Sequence, residues 1–213
     1  MMVMVMTLFF DAKTLVIFSV MPQLLTATIG LIRSPKTVNI VFLAKMLAFG
    51  TIGGVAGLVM FYRFPTNVFY LTLAIAISLF GFYLVISPHI LKINPIIQRV
   101  LDIVAGTSQT LIGISGPIAM TRLLGSFNDK LIIRNYALAF FLSMNLFRTG
   151  GYIINDTFTD EILRMMLISG PIIAIVLWNT NHLHVKVNEY LFRKVVSWVI
   201  LLGGISLLIR TPY

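Results

Sequence analysis

A run of hydroxyl and amide side chains, Thr107-Ser108-Gln109, leads one helical turn on into Gly113-Ile114-Ser115-Gly116-Pro117. Two glycines favour no helix, and proline has no N–H to give one. A new helix can open at Pro117, where the missing N–H costs nothing. The free backbone N–H groups at such a helix start, with the positive end of its dipole, suit a small anion. Gly113 and Gly116 would let a ligand approach the backbone closely, and Ser115 and Gln109 would add side-chain donors. The competing reading is a packing kink, with glycines for helix contact and a simple N1 proline.

Other polar residues stand in otherwise apolar segments, where they are expensive and usually functional. Gln23 with Thr26 and, later, Asn145 either face a site or bond across helices. Arg122, just after the break, is the better cationic candidate for an anion, with a lipid headgroup contact as the alternative; Arg134 also flanks this region. Lys45 either faces a substrate or snorkels to the interface. Asp102 and Arg99 are spaced i, i+3 and are expected to pair; were Asp102 free, it could couple protons.

The elements that must carry these residues are apolar. The chain has 213 residues, 58% of them hydrophobic and 11% charged, and its mean hydropathy is +0.97. Soluble domains carry about 25% charged residues. Length and composition predict an all-α, polytopic transmembrane bundle of roughly seven to nine spans at about 20 residues each. Long apolar segments run over 14–32, 38–62, 68–87, 131–154, 162–178 and 190–209, with an apolar fragment at 1–10. Residues 96–112 form a polar-flecked helix, the break follows, and 117–124 form a short helix. Turns or loops fall at 33–36, 88–95, 156–161 (acidic) and 179–188. Gly50, Gly53, Gly54 and Gly57 would let the second long span pack closely. Irregular backbone at membrane depth survives only where protein or water satisfies it, so the break at 113–117 marks an ion or substrate site.

The net charge is +9. The basic residues are scattered between spans without a basic face, so they read as topology signals and anionic-lipid contacts rather than nucleic-acid contacts. There is no cysteine, which excludes disulfides and thiolate sites. His89, His182 and His184 fall in connecting segments, and no metal or other cofactor is expected. No hydrolase or zinc-protease signature and no P-loop is present, so an enzyme is not expected.

Phe10-Asp11-Ala12-Lys13 resembles Phe127-Asn128-Asp129-Lys130, an offset of 117 from Lys13 to Lys130. Gly81 and Gly203 lie late in the last span of each half. Residues 1–90 and 96–213 therefore read as two repeats of one integral membrane domain, a plan common in secondary transporters. The counterpart of 96–116 falls before Met1, so the first repeat is expected to lack its leading Gly-rich broken helix, through a late start. If 96–124 turns back as a re-entrant hairpin, Arg33, Lys36, Lys92, Arg99, Lys130, Arg134, Lys186, Arg193 and Lys194 gather on one, cytoplasmic, side. Asp156, Asp160 and Glu161 then fall on the other, and the two repeats are inverted. The hairpin is the favoured topology.

Gly113-Ile114-Ser115-Gly116-Pro117, Lys130 opening a helix, Asn145 with Arg148, and Phe192-Arg193-Lys194 before a glycine-containing apolar span together resemble the TauE/SafE family. That resemblance implies a membrane transporter for sulfite, organosulfonates or related small anions, in the bacterial plasma membrane. Ser115 stands where this family usually has glycine, and its first-half break is absent here. The expected binding residues are Gln109, Gly113, Ser115, Gly116, Pro117, Arg122, Gln23 and Asn145. The expected partners are a small anion and membrane lipid, with coupling to protons and a homo-oligomer left open. The alternative function is a truncated, non-transporting membrane or assembly subunit.

Overall fold

The computed structural model describes residues 11–33, 38–65, 94–179 and scattered positions between 67 and 82. The 1–10 fragment, the 88–93 and 180–188 loop segments, the final span at 190–209, and the residues Gly81, Gly203, His89, His182 and His184 lie outside these. Among the described residues the regular elements are helices. They are α1 (Ala12–Phe18), α2 (Val20–Ile32), α3 (Ile40–Arg63), α4 (Pro95–Ile112), α5 (Gly116–Leu124), α6 (Lys130–Ile154) and α7 (Asp160–Asn179). Among the described residues four stretches are long and apolar enough to cross a membrane: Lys13–Ile32, Ile40–Arg63, Leu131–Ile154 and Asp160–Asn179. The α4–α5 pair is not among them.

Helix starts follow local polar chemistry. Asp11 accepts from the amides of Lys13 and Thr14 at 3.0 and 3.2 Å. Asn39 accepts from Val41 and Phe42 at 2.9 and 3.3 Å, and Asn94 from Ile96 at 3.2 Å. Asp129 accepts from Leu131 and Ile132 at 2.7 and 3.2 Å. Each side-chain oxygen satisfies amides that have no partner inside the helix. The expected acidic loop at 156–161 is shorter than the sequence suggests. Asp160 and Glu161 form the first turn of α7, where the helix dipole favours carboxylates. The first long apolar segment is interrupted at Ser19. Pro22 cannot give an N–H to the Phe18 carbonyl, and the ladder breaks there.

The chain divides into two compact units. One takes in the described residues 11–16 and those between 63 and 82. In it the Lys13 ammonium donates to the Phe64 carbonyl at 2.8 Å and lies 5.7 Å from the centre of the Phe69 ring.

The other unit comprises residues 17–62 and 90–179, of which 17–33, 38–62 and 94–179 are described. Helix α6 is its axis, packing against α2, α4 and α5, and α7 lies against α2. Met46, Ala105, Ala119, Leu123, Ile133, Tyr136, Ala137, Phe140 and Met144 form the buried core. Glycines bring α3 onto α4. A side chain on Gly106 would overlap the Gly50 carbonyl, and one on Gly53 would overlap the Ile103 carbonyl. The Thr110 hydroxyl donates across this seam to the Gly54 carbonyl at 2.9 Å. Helix α7 turns most of its apolar residues outward, among them Leu167 and Ile168, as a helix facing lipid would.

Candidate functional site: a polar cluster at a helix reversal

Helix α4 ends at Gly113, whose φ of 73° lies in the left-handed region that suits glycine. The Gly113 amide donates back to the Gln109 carbonyl at 3.0 Å, and the Ile114 amide to the Ser108 carbonyl at 3.4 Å. The Ser108 hydroxyl donates to the Ile114 carbonyl. These bonds turn the chain back on itself. Asp102 and Arg122 lie on opposite sides of the turn, and in one straight helix the 20 residues between them would span about 30 Å. Their side chains instead form an ion pair at 3.1 Å. Helices α4 and α5 are therefore a folded-back pair.

The polar residues of the break meet residues from the first part of the chain. The Ser115 hydroxyl donates to Gln109 Oε1 at 2.6 Å. Gln109 Nε2 donates to Gln23 Oε1 at 2.7 Å and to Asn145 Oδ1 at 3.1 Å. Gln23 Nε2 donates to the Gly113 carbonyl at 3.0 Å and to Ser19 Oγ at 3.3 Å. Asn145 Nδ2 donates to the Phe141 carbonyl at 2.9 Å. Gln109, Ser115 and Asn145 are buried, and burial of such groups is tolerated because they are bonded to one another. Gln23, Gln109, Gly113, Ser115 and Asn145 are thus brought together by hydrogen bonds that run across helices. Gly116 and Pro117 form the first turn of α5 beside them.

Arg148 completes the cluster. It is fully buried and lies on α6 one turn after Asn145. Its Nε donates to the Tyr152 hydroxyl at 2.8 Å, Nη1 to the Gln109 carbonyl at 3.2 Å, and Nη2 to Ser19 Oγ at 3.4 Å. Sequence reasoning noted Arg148 in its span but gave it no role at the site, and it left out Ser19 and Tyr152. An arginine in the middle of an apolar helix was the available signal for the first. Nothing marked the other two, a serine and a tyrosine of ordinary type.

Gly113 uncovers the donors. A methyl group built there would lie 2.8 Å from Arg148 Nη1, 3.0 Å from Ser19 Oγ and 3.3 Å from Gln23 Nε2. A side chain at Gly116 would meet nothing within 4 Å, so the space beside the start of α5 is open. The Ser115 side chain is turned to Gln109 and does not cap α5. The Ala119 amide donates to the Ser115 carbonyl at 2.9 Å. Among the described residues the amides of Gly116 and Ile118 have no acceptor.

Several expected residues lie elsewhere. Arg122 is not part of this cluster; it is buried against Asp102, donates to Ser126 Oγ at 2.5 Å, and lies 5.0 Å from the centre of the Phe42 ring. The expected Arg99–Asp102 pair is not formed. The reversal presents Arg122 to Asp102 inside the protein, while Arg99 stays exposed with its guanidinium 5.5 Å from the centre of the Phe49 ring. Thr26 is exposed and donates to the Pro22 carbonyl of its own helix at 2.7 Å. Lys45 and Arg134 are exposed. No group of three or more histidine, cysteine or acidic residues able to hold a metal occurs among the described residues.

Apolar helices long enough to cross a bilayer, packed around a buried polar cluster, are the architecture of an integral membrane protein. Residues 1–207 match the family described as Sulfite exporter TauE/SafE, and the chain belongs to that family. No curated protein and no solved structure matches the chain.

Proposed function

We infer that this chain is a secondary transporter of small oxyanions, sulfite or organosulfonates, bound where α4 reverses into α5. The reading is carried by the convergence on the bare face of Gly113 of a guanidinium, a hydroxyl and an amide. Arg148 supplies charge, Ser19 and Gln23 supply neutral donors, and the uncapped start of α5 adds backbone N–H groups at its positive end. The bonds these groups now make, at 3.2–3.4 Å for the two Arg148 Nη atoms, are long. A charged oxyanion would take shorter, stronger ones in their place. Gln109, Ser115 and Asn145 hold the donors in position, and Gly116 with Pro117 leaves the approach open.

The α4–α5 pair is read as re-entrant, entering the membrane and leaving on the same side. Its absence from the four apolar stretches supports this. The two-repeat plan is supported by helix starts at Asp11 and Asp129 with the same aspartate cap, and by the spacing of Arg63 and Asn179, which end α3 and α7. With inverted repeats, Ser19 and Gln23 from one and the break from the other would form one site able to face either side in turn.

The test is anion flux in proteoliposomes with sulfite, sulfate and methanesulfonate supplied in turn. Saturable uptake of sulfite or methanesulfonate is the expected result. A folded protein that moves none of the three refutes the reading and turns attention to a non-transporting membrane subunit.

A further inference from the structure

Asp102 and Arg122 form a second charged site, separate from the polar cluster. Asp102 is 2% exposed and Arg122 5%. Among the described residues Asp102 is the one carboxylate away from a helix end. Arg122 Nε reaches both of its oxygens, at 3.1 and 3.3 Å, yet Oδ1 has no well-directed hydrogen bond. This buried carboxylate oxygen faces a single cation and has room in its bonding for a proton.

The charges around the pair can be stated for each neighbouring helix. On α4 the other charged residue is Arg99, exposed and set over Phe49. On α5 it is Arg122 itself. On α6 Lys130 is the first residue, Arg134 is exposed, and Arg148 is engaged with Gln109, Tyr152 and Ser19. Across the seam, α3 carries Lys45, which is exposed, and Arg63 at its end. No other acid on these helices stands ready to take over Arg122.

Protonation of Asp102 opens its ion pair with Arg122. It would leave a buried guanidinium without its counter-charge, which is strongly unfavourable. A small anion arriving with the proton removes that penalty. We propose that Asp102 and Arg122 form a proton–anion co-binding site. The proton goes to an Asp102 oxygen, and a small oxyanion replaces the carboxylate on Arg122 Nε, beside the Ser126 hydroxyl. The exchange is neutral: one proton and one monoanion enter, and one internal ion pair opens. Because that pair ties α4 to α5, the same event frees the two arms of the reversal to move apart. The inference rests on the oxyanion-transport reading and adds to it the coupling ion and its acceptor.

The experiment uses the full chain in detergent or nanodiscs with methanesulfonate, which stays ionised across the working pH range, so proton uptake reports on the protein alone. A pH indicator in weak buffer follows protons, and binding is measured from pH 5.5 to 8.5. The expected result is about one proton taken up per protein chain at anion saturation, with the affinity of the proton-linked component of binding falling about tenfold per pH unit where Asp102 is ionised in the free protein. Asp102→Asn should bind the anion with no proton uptake and no pH dependence. Asp102→Glu should restore both, and it guards against an Asn variant that merely misfolds. Arg122→Gln should lose the pH-dependent component of binding. Proton uptake by Asp102→Asn equal to that of the parent overturns the assignment. Methanesulfonate flux run alongside separates the two readings. Flux that stays proton-coupled in Asp102→Asn refutes the co-binding site and leaves the transporter standing. Absence of both binding and flux in the parent chain refutes both.

Discussion

Replacing Gly113 by alanine tests the site most directly, because the cost can be worked out from three distances and one angle. With φ at 73°, an L-residue pays about 1–2 kcal/mol for the left-handed conformation. The new methyl would lie 2.8 Å from Arg148 Nη1 and 3.0 Å from Ser19 Oγ, so the guanidinium must move. Nη1 holds the Gln109 carbonyl at 3.2 Å, and a bond from a charged donor contributes about 1.5–3 kcal/mol. Partial loss of it adds about 1–2 kcal/mol, while the stiffer unfolded chain returns about 0.4–1 kcal/mol. The net expectation for Gly113→Ala is about 1–3.5 kcal/mol of destabilisation, or about 2–14 °C in melting temperature for a chain of this size. The methyl also covers the converging donors, so oxyanion flux should fall by about tenfold or more, the equivalent of about 1.4 kcal/mol in binding. Gly116→Ala is the matched control for stability. Its side chain meets nothing within 4 Å and its φ is not positive, so it should stay within about 0.5 kcal/mol of the parent. Melting temperature and methanesulfonate flux, measured on both variants in the same lipid, decide the matter. If Gly113→Ala melts with Gly116→Ala and its flux equals that of the parent, the conformational and donor arguments are wrong.

Arg148→Gln should weaken oxyanion binding by about 10- to 100-fold, matching the loss of one charge-assisted contact. Arg148→Lys should recover only part of this, since an ammonium keeps the charge without the fork that holds Gln109, Ser19 and Tyr152 together; titration with sulfite or methanesulfonate reads both. Gly106→Ala should lower the melting temperature by an amount equivalent to about 1–3 kcal/mol or more, because its methyl would overlap the Gly50 carbonyl and two helix backbones must separate. Gly30→Ala is the contrast. It meets only the tips of Leu138, the nearest at 2.9 Å, and a flexible side chain can turn aside, so its melting temperature should stay close to that of the parent.

Much of the helical plan could be read from residue type and order, since it depends on local chemistry. Apolar runs long enough to cross a bilayer, Pro95 and Pro117 at helix starts, and the glycine at 113 specify which stretches are helical and where one stops. The aspartate and asparagine caps act within three residues of themselves and are legible in the same way. The break is therefore visible in the chain, and so are Gln109 and Ser115 beside it. The match to the TauE/SafE family over residues 1–207 agrees with the family resemblance that these residues carry.

What residue order could not decide were partners across helices. The i, i+3 rule puts Arg99 and Asp102 on one face of α4, but it knows nothing of α5. Once the chain reverses at Gly113, Asp102 meets Arg122 in a buried setting, where each charge needs the other to offset its own desolvation. Arg148 is similar. The sequence shows a charge within an apolar helix, and only the packing of α2 and α4 against α6 shows that it faces Gly113, Ser19 and Gln109. Helical periodicity orders side chains around one axis. The angles at which separate axes meet come from packing volume, such as the close α3–α4 contact that Gly53 and Gly106 permit. Those angles decided which charges became neighbours.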